Sequence, residues 1–139
     1  MMSKPWVYIA SPYTAGDQAQ NVRFQFKVWN LLVDDGRVTP IAPLWSHFQH
    51  LHQPRPYDSW VAYDNEIISR CDACLRLDAS DASNGYHQHE SRGADAEVAL
   101  FKSLGRPVFF SIEEMLRWAL ATRPDQRCPA ALRTAGDAE

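Results

Sequence analysis

Trp6-Val7-Tyr8-Ile9-Ala10 is a short apolar run rich in strand formers, followed by Ser11-Pro12-Tyr13-Thr14-Ala15-Gly16-Asp17, a stretch of turn formers. Together they read as a buried strand that ends in a loop. The next residues decide the fold. Val22, Phe26, Trp29 and Val33 recur at spacings of four, three and four, which is one apolar stripe of a helix. That helix is predicted from about Gln18 to Asp35, with Gly36 as its C-cap residue. Val38-Thr39-Pro40-Ile41-Ala42-Pro43 then reads as a second strand, kept short or at an edge by its prolines.

The alternation continues outward from this unit. Residues 44–56 carry His47, His50, His52 and two prolines and read as a loop with a short helical turn. Asp58 or Ser59 can cap a helix running to about Arg70, with Trp60, Tyr63, Ile67 and Cys71 on its apolar side. Ala73-Cys74-Leu75-Arg76-Leu77 is a third strand. Residues 78–90 are polar, and Asn84-Gly85 is their strongest turn signal. Ser91 opens a helix carrying Ala94, Val98, Phe101 and Leu104, and Gly105 and Pro107 mark its end. Val108-Phe109-Phe110 is a fourth strand. Ser111-Ile112-Glu113-Glu114 matches a capping box for a last helix to about Ala121. Strands alternating with helices predict an α/β fold: a single-domain, Rossmann-like parallel sheet with helices on both faces. The domain is expected over residues 1–122, with the polar, Ala/Pro-rich residues 123–139 as a disordered tail. In such sheets ligands bind beyond the carboxyl ends of the strands, where the loops after the first three strands hold nearly all the unusual polar residues.

Bulk properties narrow the classes. A chain of 139 residues with 45% hydrophobic and 22% charged residues is ordinary for one globular domain. A net charge of −3 offers no surface for a nucleic acid polymer. No apolar run approaches membrane-spanning length, and the N-terminus lacks a signal-peptide core, so the expected location is the cytoplasm. The odd cysteine count (Cys71, Cys74 and Cys128) argues against a disulfide framework. Cys71 and Cys74 have C-x-x-C spacing without a second pair, and read as small buried residues at a helix-to-strand junction. His47, His50 and His52 do not form H-E-x-x-H, so no metal site is expected. His87 and His89 read as exposed loop histidines or as the rim of a pocket. G-x-G-x-x-G, Walker A and G-x-S-x-G motifs are absent from the sequence.

Ser91-Arg92-Gly93-Ala94-Asp95-Ala96-Glu97 carries the chemistry that remains. It reads as a loop becoming a helix, with a hydroxyl and a glycine at the start and a carboxylate six residues after the hydroxyl. A helix N-terminus has free N–H groups and a positive dipole end, so it attracts anions. Taken alone, Ser91 is equally an ordinary N-cap, Gly93 a flexible turn residue, and Glu97 and Asp64 solvated helix carboxylates. Asp72, directly before the third strand, reads as structural.

In combination these residues resemble the nucleoside 2-deoxyribosyltransferase superfamily, including its branch of 2'-deoxynucleoside 5'-monophosphate N-glycosidases. Tyr8-Ile9-Ala10-Ser11-Pro12-Tyr13 looks like the family's first strand and turn. Asp64 and Asp72 match its D-x(7)-D pattern, and Ser91-x-Gly93-x-x-x-Glu97 its catalytic segment. Gly105-Arg106-Pro107-Val108 is similar to the start of its following strand. The resemblance covers about residues 6–116, with gaps, and looks closest to small bacterial and phage proteins that begin Tyr-Ile-Ala-Ser-Pro-Tyr. It implies that Glu97 attacks C1' of a (deoxy)ribose, that Asp64 positions the sugar and shares a proton with Glu97, and that Tyr8 contacts Glu97 or the sugar. It further implies phosphate binding by Ser91, the Gly93 amide and Ser11, and base contacts from His47 and Trp45.

The implied reaction hydrolyses the N-glycosidic bond of a nucleoside 5'-monophosphate to free base and sugar phosphate. It uses no metal or organic cofactor. A homodimer or larger oligomer is implied, for which Phe24, Phe26, Trp29 and Trp60 are interface candidates unless they serve the core. Two departures stand out. The interval from Asp72 to Glu97 is lengthened by the polar residues 78–90. And Ser91 stands where the transferases have an aspartate, which favours a nucleotide over a nucleoside because a serine at a helix N-terminus accepts a phosphate that an aspartate would repel. The competing expectations are a non-catalytic nucleotide-binding or signalling module on the same fold, and a nucleoside deoxyribosyltransferase.

Overall fold

The computed structural model describes residues 3–78 and 91–122. His87 and His89, most of the polar 78–90 segment, Cys128 and the expected tail lie outside the described residues. The elements run β1 (Trp6–Ala10), α1 (Gln18–Asp35), β2 (Thr39–Ile41), a 3-10 turn (Pro43–Trp45), α2 (Ser46–His52), α3 (Tyr57–Ile68), β3 (Ala73–Arg76), α4 (Arg92–Ser103), β4 (Val108–Phe109) and α5 (Ile112–Ala121). The four strands form one parallel sheet in the order β2-β1-β3-β4. It is the predicted α/β, Rossmann-like arrangement. The chain builds outward from β1 to β2, then returns across β1 to lay down β3. That reversal puts a crevice at the carboxyl ends of β1 and β3, where open α/β sheets bind ligands.

The two-residue period of β1 divides the core into two layers. Val7 and Ile9 pack with Val28 and Leu32 of α1 and with Met115, Leu116 and Ala119 of α5. Tyr8 and Ala10 face the opposite way, onto Ile68 of α3 and Ala94, Val98 and Phe101 of α4. A tyrosine in the middle of the central strand is therefore wholly enclosed, at 0% exposure.

Local signals account for most boundaries. Asp17 caps α1 by accepting from Gln20 N, and Gly36 ends it at φ +84°, where its N–H donates to Leu32 O. Only glycine takes that left-handed conformation without steric cost. Ser91 caps α4 and Ser111 caps α5. Asp72 is structural as expected: its carboxylate accepts from Trp6 N at 2.7 Å while its own N–H donates to Trp6 O, locking the starts of β1 and β3 together.

Four expectations need correction. The buried face of α1 is Asn21, Val22, Gln25, Val28 and Leu32, whereas Val33 is 46% exposed. Polar residues occupy this face because each is satisfied. Asn21 donates to Tyr13 O and Ala15 O. Gln25 donates to Ile9 O and Ser11 Oγ and accepts from Leu44 N. Second, the histidine-rich stretch is not a loop with one helical turn: the 3-10 turn runs straight into α2, a helix with no buried residue. Third, α3 starts at Tyr57 behind Pro56 with no side-chain cap, and Asp58 lies inside its first turn, where a negative charge suits the dipole. Fourth, β2 and β4 are shorter than drawn from sequence, at Thr39–Ile41 and Val108–Phe109.

Of the aromatic interface candidates, Phe24 and Trp29 pack against the α1–α5 core layer. Among the described residues the exposed aromatic side chains lie elsewhere, at Trp6, Trp45, Phe48, Tyr57, Tyr63 and Phe110. Among the described residues, no helix is long and apolar enough to cross a membrane.

Candidate active site

The site begins with Tyr8. Its ring packs on Phe101 of α4, with centroids 5.8 Å apart, and its hydroxyl donates a hydrogen bond to Glu97 Oε2. Glu97 is reached because α4 presents Ala94, Val98 and Phe101 to the sheet. One turn on from Gly93 and Ala94, position 97 falls at the margin of that buried face. Asp64 approaches from α3, close enough for its charge to act on both Tyr8 and Glu97. Asp64 Oδ1 is buried and, among the described residues, has no hydrogen-bond partner. Three residues 89 positions apart at the extremes thus converge on one layer of the core.

The electrostatics follow from burial. Desolvation pushes the Asp64 carboxyl up to about 7. It pushes Glu97 up to about 8: the Tyr8 hydroxyl bond pulls the other way, the Asp64 charge adds to the rise, and Arg76 pulls down again. Burial, then the negative charges of Glu97 and Asp64, hold the Tyr8 hydroxyl well above the usual tyrosine range. Near neutral pH the two carboxyls therefore hold protons that an exposed pair would have lost. Such a pair supplies one carboxylate and one carboxylic acid side by side.

Around this cluster the other expected residues take distinct places. Ser11 directly follows β1, is 7% exposed, and accepts from Gln25 Nε2 at 2.8 Å. Gln25 thereby fixes the oxygen and leaves the serine proton free to donate. Ser91 Oγ accepts from Ala94 N at 3.3 Å as the cap of α4. Gly93 lies at the second helical position, and a Cβ there would sit 3.5 Å from the Tyr57 hydroxyl, so Tyr57 overhangs the first turn. His47 bonds to the Tyr13 hydroxyl, tying the loop after β1 to α2.

Trp45 stacks on Phe26 at 4.7 Å. It lines a groove of about 970 Å³ with Trp60 and Tyr63 that includes none of Tyr8, Asp64 and Glu97. No hydrogen bond or ring contact joins His47 or Trp45 to the carboxyl cluster. His50 is structural, its Nδ1 accepting from Arg55 N and Trp60 Nε1. Cys71 and Cys74 are buried and not joined in a disulfide, and Cys71 Sγ donates to Ile67 O.

Two groups escaped the sequence reading. Gln25 was hidden because hydropathy counts an amide as surface. Arg76 looked like a strand residue, yet its side chain is 6% exposed at the carboxyl end of β3, the position from which α/β sheets present ligand-binding groups. Its guanidinium donates to Asp95 Oδ1 through Nε (3.3 Å) and Nη2 (3.1 Å), and through Nη1 to Leu77 O. The other Asp95 oxygen accepts from Ser91 N at 3.1 Å. Compared with protein-family models, curated proteins and solved structures, the chain finds no match.

Proposed function

We propose that the protein hydrolyses the N-glycosidic bond of a (deoxy)nucleoside 5'-monophosphate. The observation that carries this reading is the buried Tyr8–Glu97 hydrogen bond with a second raised carboxyl, Asp64, beside it. A carboxylate aimed from a dry site, with an acid adjacent, is the equipment of retaining glycoside chemistry. In the first step the Glu97 proton passes to the Asp64 carboxylate, and the freed Glu97 oxygen bonds to C1' while the glycosidic C–N bond breaks. Its electron pair leaves with the base, which takes a proton from Asp64. In the second step Asp64, now a carboxylate, takes a proton from water as that water attacks C1', releasing the sugar phosphate and freeing Glu97. The Tyr8 hydroxyl stabilises the carboxylate before attack and on release.

The start of α4 supports a phosphate: backbone N–H groups of its first turn, the Ser91 hydroxyl, and the buried Arg76, whose charge offsets that of Asp95. Ser11 lies at the same carboxyl edge of the sheet. His47 and Trp45 remain the candidates for the base. The same reading takes the protein as cytoplasmic and homo-oligomeric, the latter resting on the exposed Trp45, Phe48 and Tyr63.

The test is a panel of nucleoside 5'-monophosphates and the matching nucleosides, with free base followed by chromatography for wild type and Glu97→Gln. Base release from at least one monophosphate, lost in the variant, is the expected result. Release from nucleosides only when an acceptor base is supplied would make it a deoxyribosyltransferase. Nucleotide binding without turnover by folded wild type would make it a binding module.

A further inference from the structure

We infer that Arg76 is a positioning residue for Glu97: its buried guanidinium, on the sheet face that carries the Tyr8–Glu97 pair, is the counter-charge of the nucleophile, and Asp95 meters how much of that charge the nucleophile feels. The inference rests on the reading of Glu97 as the attacking group. The geometry comes from the register. Tyr8 pairs with Cys74 and Ala10 with Arg76. Cys74 shares the α3–α4 layer with Tyr8 and Ala10. Side chains two apart on a strand point the same way, so Arg76 lies one pleat beyond Cys74 on that same face, toward the carboxyl edge. There it meets Asp95, which stands two residues before Glu97 on α4 and is itself 55% exposed.

Among the described residues, every charged or titratable group around Glu97 then has a sign. Tyr8 faces it from β1, Asp64 from α3, and Cys74 and Arg76 from β3. The cation among them is Arg76. The Tyr8 hydrogen bond offsets part of the cost of an ionised Glu97 in a dry site, Asp64 adds a competing negative charge, and Arg76 is the charge that opposes that cost. Asp95 works against it. Its carboxylate neutralises part of the guanidinium from the solvent side, and it is held in place by the backbone N–H of Ser91. The pair thereby links the occupancy of the α4 N-terminus to the ionisation of the acid one turn further along. A ligand group that draws Arg76 or Asp95 toward itself changes the charge that Glu97 experiences.

Opposite responses to two substitutions test this. The side-chain carboxyl of Glu97 is followed by carbon-13 NMR titration, assigned by its loss in Glu97→Gln. Arg76→Met is expected to move the Glu97 midpoint up by about half to one pH unit, and Asp95→Asn to move it down by a similar amount. The acid limb of base release should move with each. Arg76→Lys keeps the charge and should leave the midpoint near the wild-type value. Should Arg76→Met not fold, Asp95→Asn and Arg76→Lys decide alone. A purely structural Arg76 would give shifts of one sign in both Arg76→Met and Asp95→Asn, or none, and either result overturns the inference. Absence of base release by wild type would remove the proposed reaction while the titration still reads the charge coupling.

Discussion

Glu97→Gln is expected to stabilise the protein, and to do so only where the acid would be charged. In the unfolded chain the glutamate ionises near 4.5, whereas burial in the fold moves it to about 8. Between those values the unfolded chain releases a proton that the folded state retains. The neutral acid is thus harmless below about pH 4.5, and stability is lost as pH rises, the loss being complete above about 8. The interval is roughly three and a half pH units at about 1.4 kcal/mol each, a ceiling on the order of 5 kcal/mol. Glutamine keeps an oxygen for the Tyr8 hydroxyl and carries no charge. After relaxation and water entering the site, we expect the variant to gain about 2–3 kcal/mol over wild type between pH 5 and pH 9. Asp64 loses stability in the same sense between 3.8 and about 7, but it is present in both proteins, so the difference reads Glu97 together with its coupling to Asp64. Urea unfolding of both at pH 5 and pH 9 measures it. A gap that is equal at the two pH values, or a variant less stable at pH 9, would refute the placement of Glu97 as a buried, mostly protonated acid.

Three further outcomes follow from named contacts. Tyr8→Phe removes the hydroxyl that favours the Glu97 carboxylate, so the acid limb of base release should move to higher pH; an unmoved limb in a kcat–pH profile contradicts the pairing. Arg106→Met withdraws a 6%-exposed guanidinium from Ile68 O, Ser69 O and Cys71 O. It should cost about 3 kcal/mol in urea unfolding, and a loss under about 1 kcal/mol would show that those carbonyls find other partners. Gln25→Leu deprives Leu44 N and Ser11 Oγ of their partner. It should cost about 2 kcal/mol and raise KM more than it lowers kcat, because Ser11 loses its orientation; equal KM values would remove Ser11 from the ligand contacts.

What could be read in advance depended on whether the cause was local. The bounds of α1 were legible because Asp17 and Gly36 act on adjacent backbone groups. The strand at Trp6–Ala10 was legible because five apolar residues meet a turn. By contrast, α2 buries no residue and has no capping side chain, so it left no period and no stop signal. The face of α1 was misplaced because Asn21 and Gln25 are buried for hydrogen bonds that only the folded loops supply. The site divides the same way. Ser91 could be seen as a cap from its own neighbourhood. That Tyr8, Asp64 and Glu97 belong together came from a family resemblance and not from spacing, since no periodicity spans 89 residues. Arg76 escaped both routes, being one charged residue at the end of an apolar run.

The strand order has a consequence for how the chain is made. Of the four strands β1 is made first, yet its neighbour β3 begins at Ala73 and the helix that covers Tyr8 begins only at Arg92. Until α4 emerges the middle of the sheet therefore has one face bare, and until β3 emerges one edge unpaired, a state prone to wrong pairing. Closure waits for the segment that also delivers Glu97. Closure of the Tyr8 layer and arrival of the acid are thus one late event, and a nascent chain cannot hold the carboxyl pair before that layer is sealed.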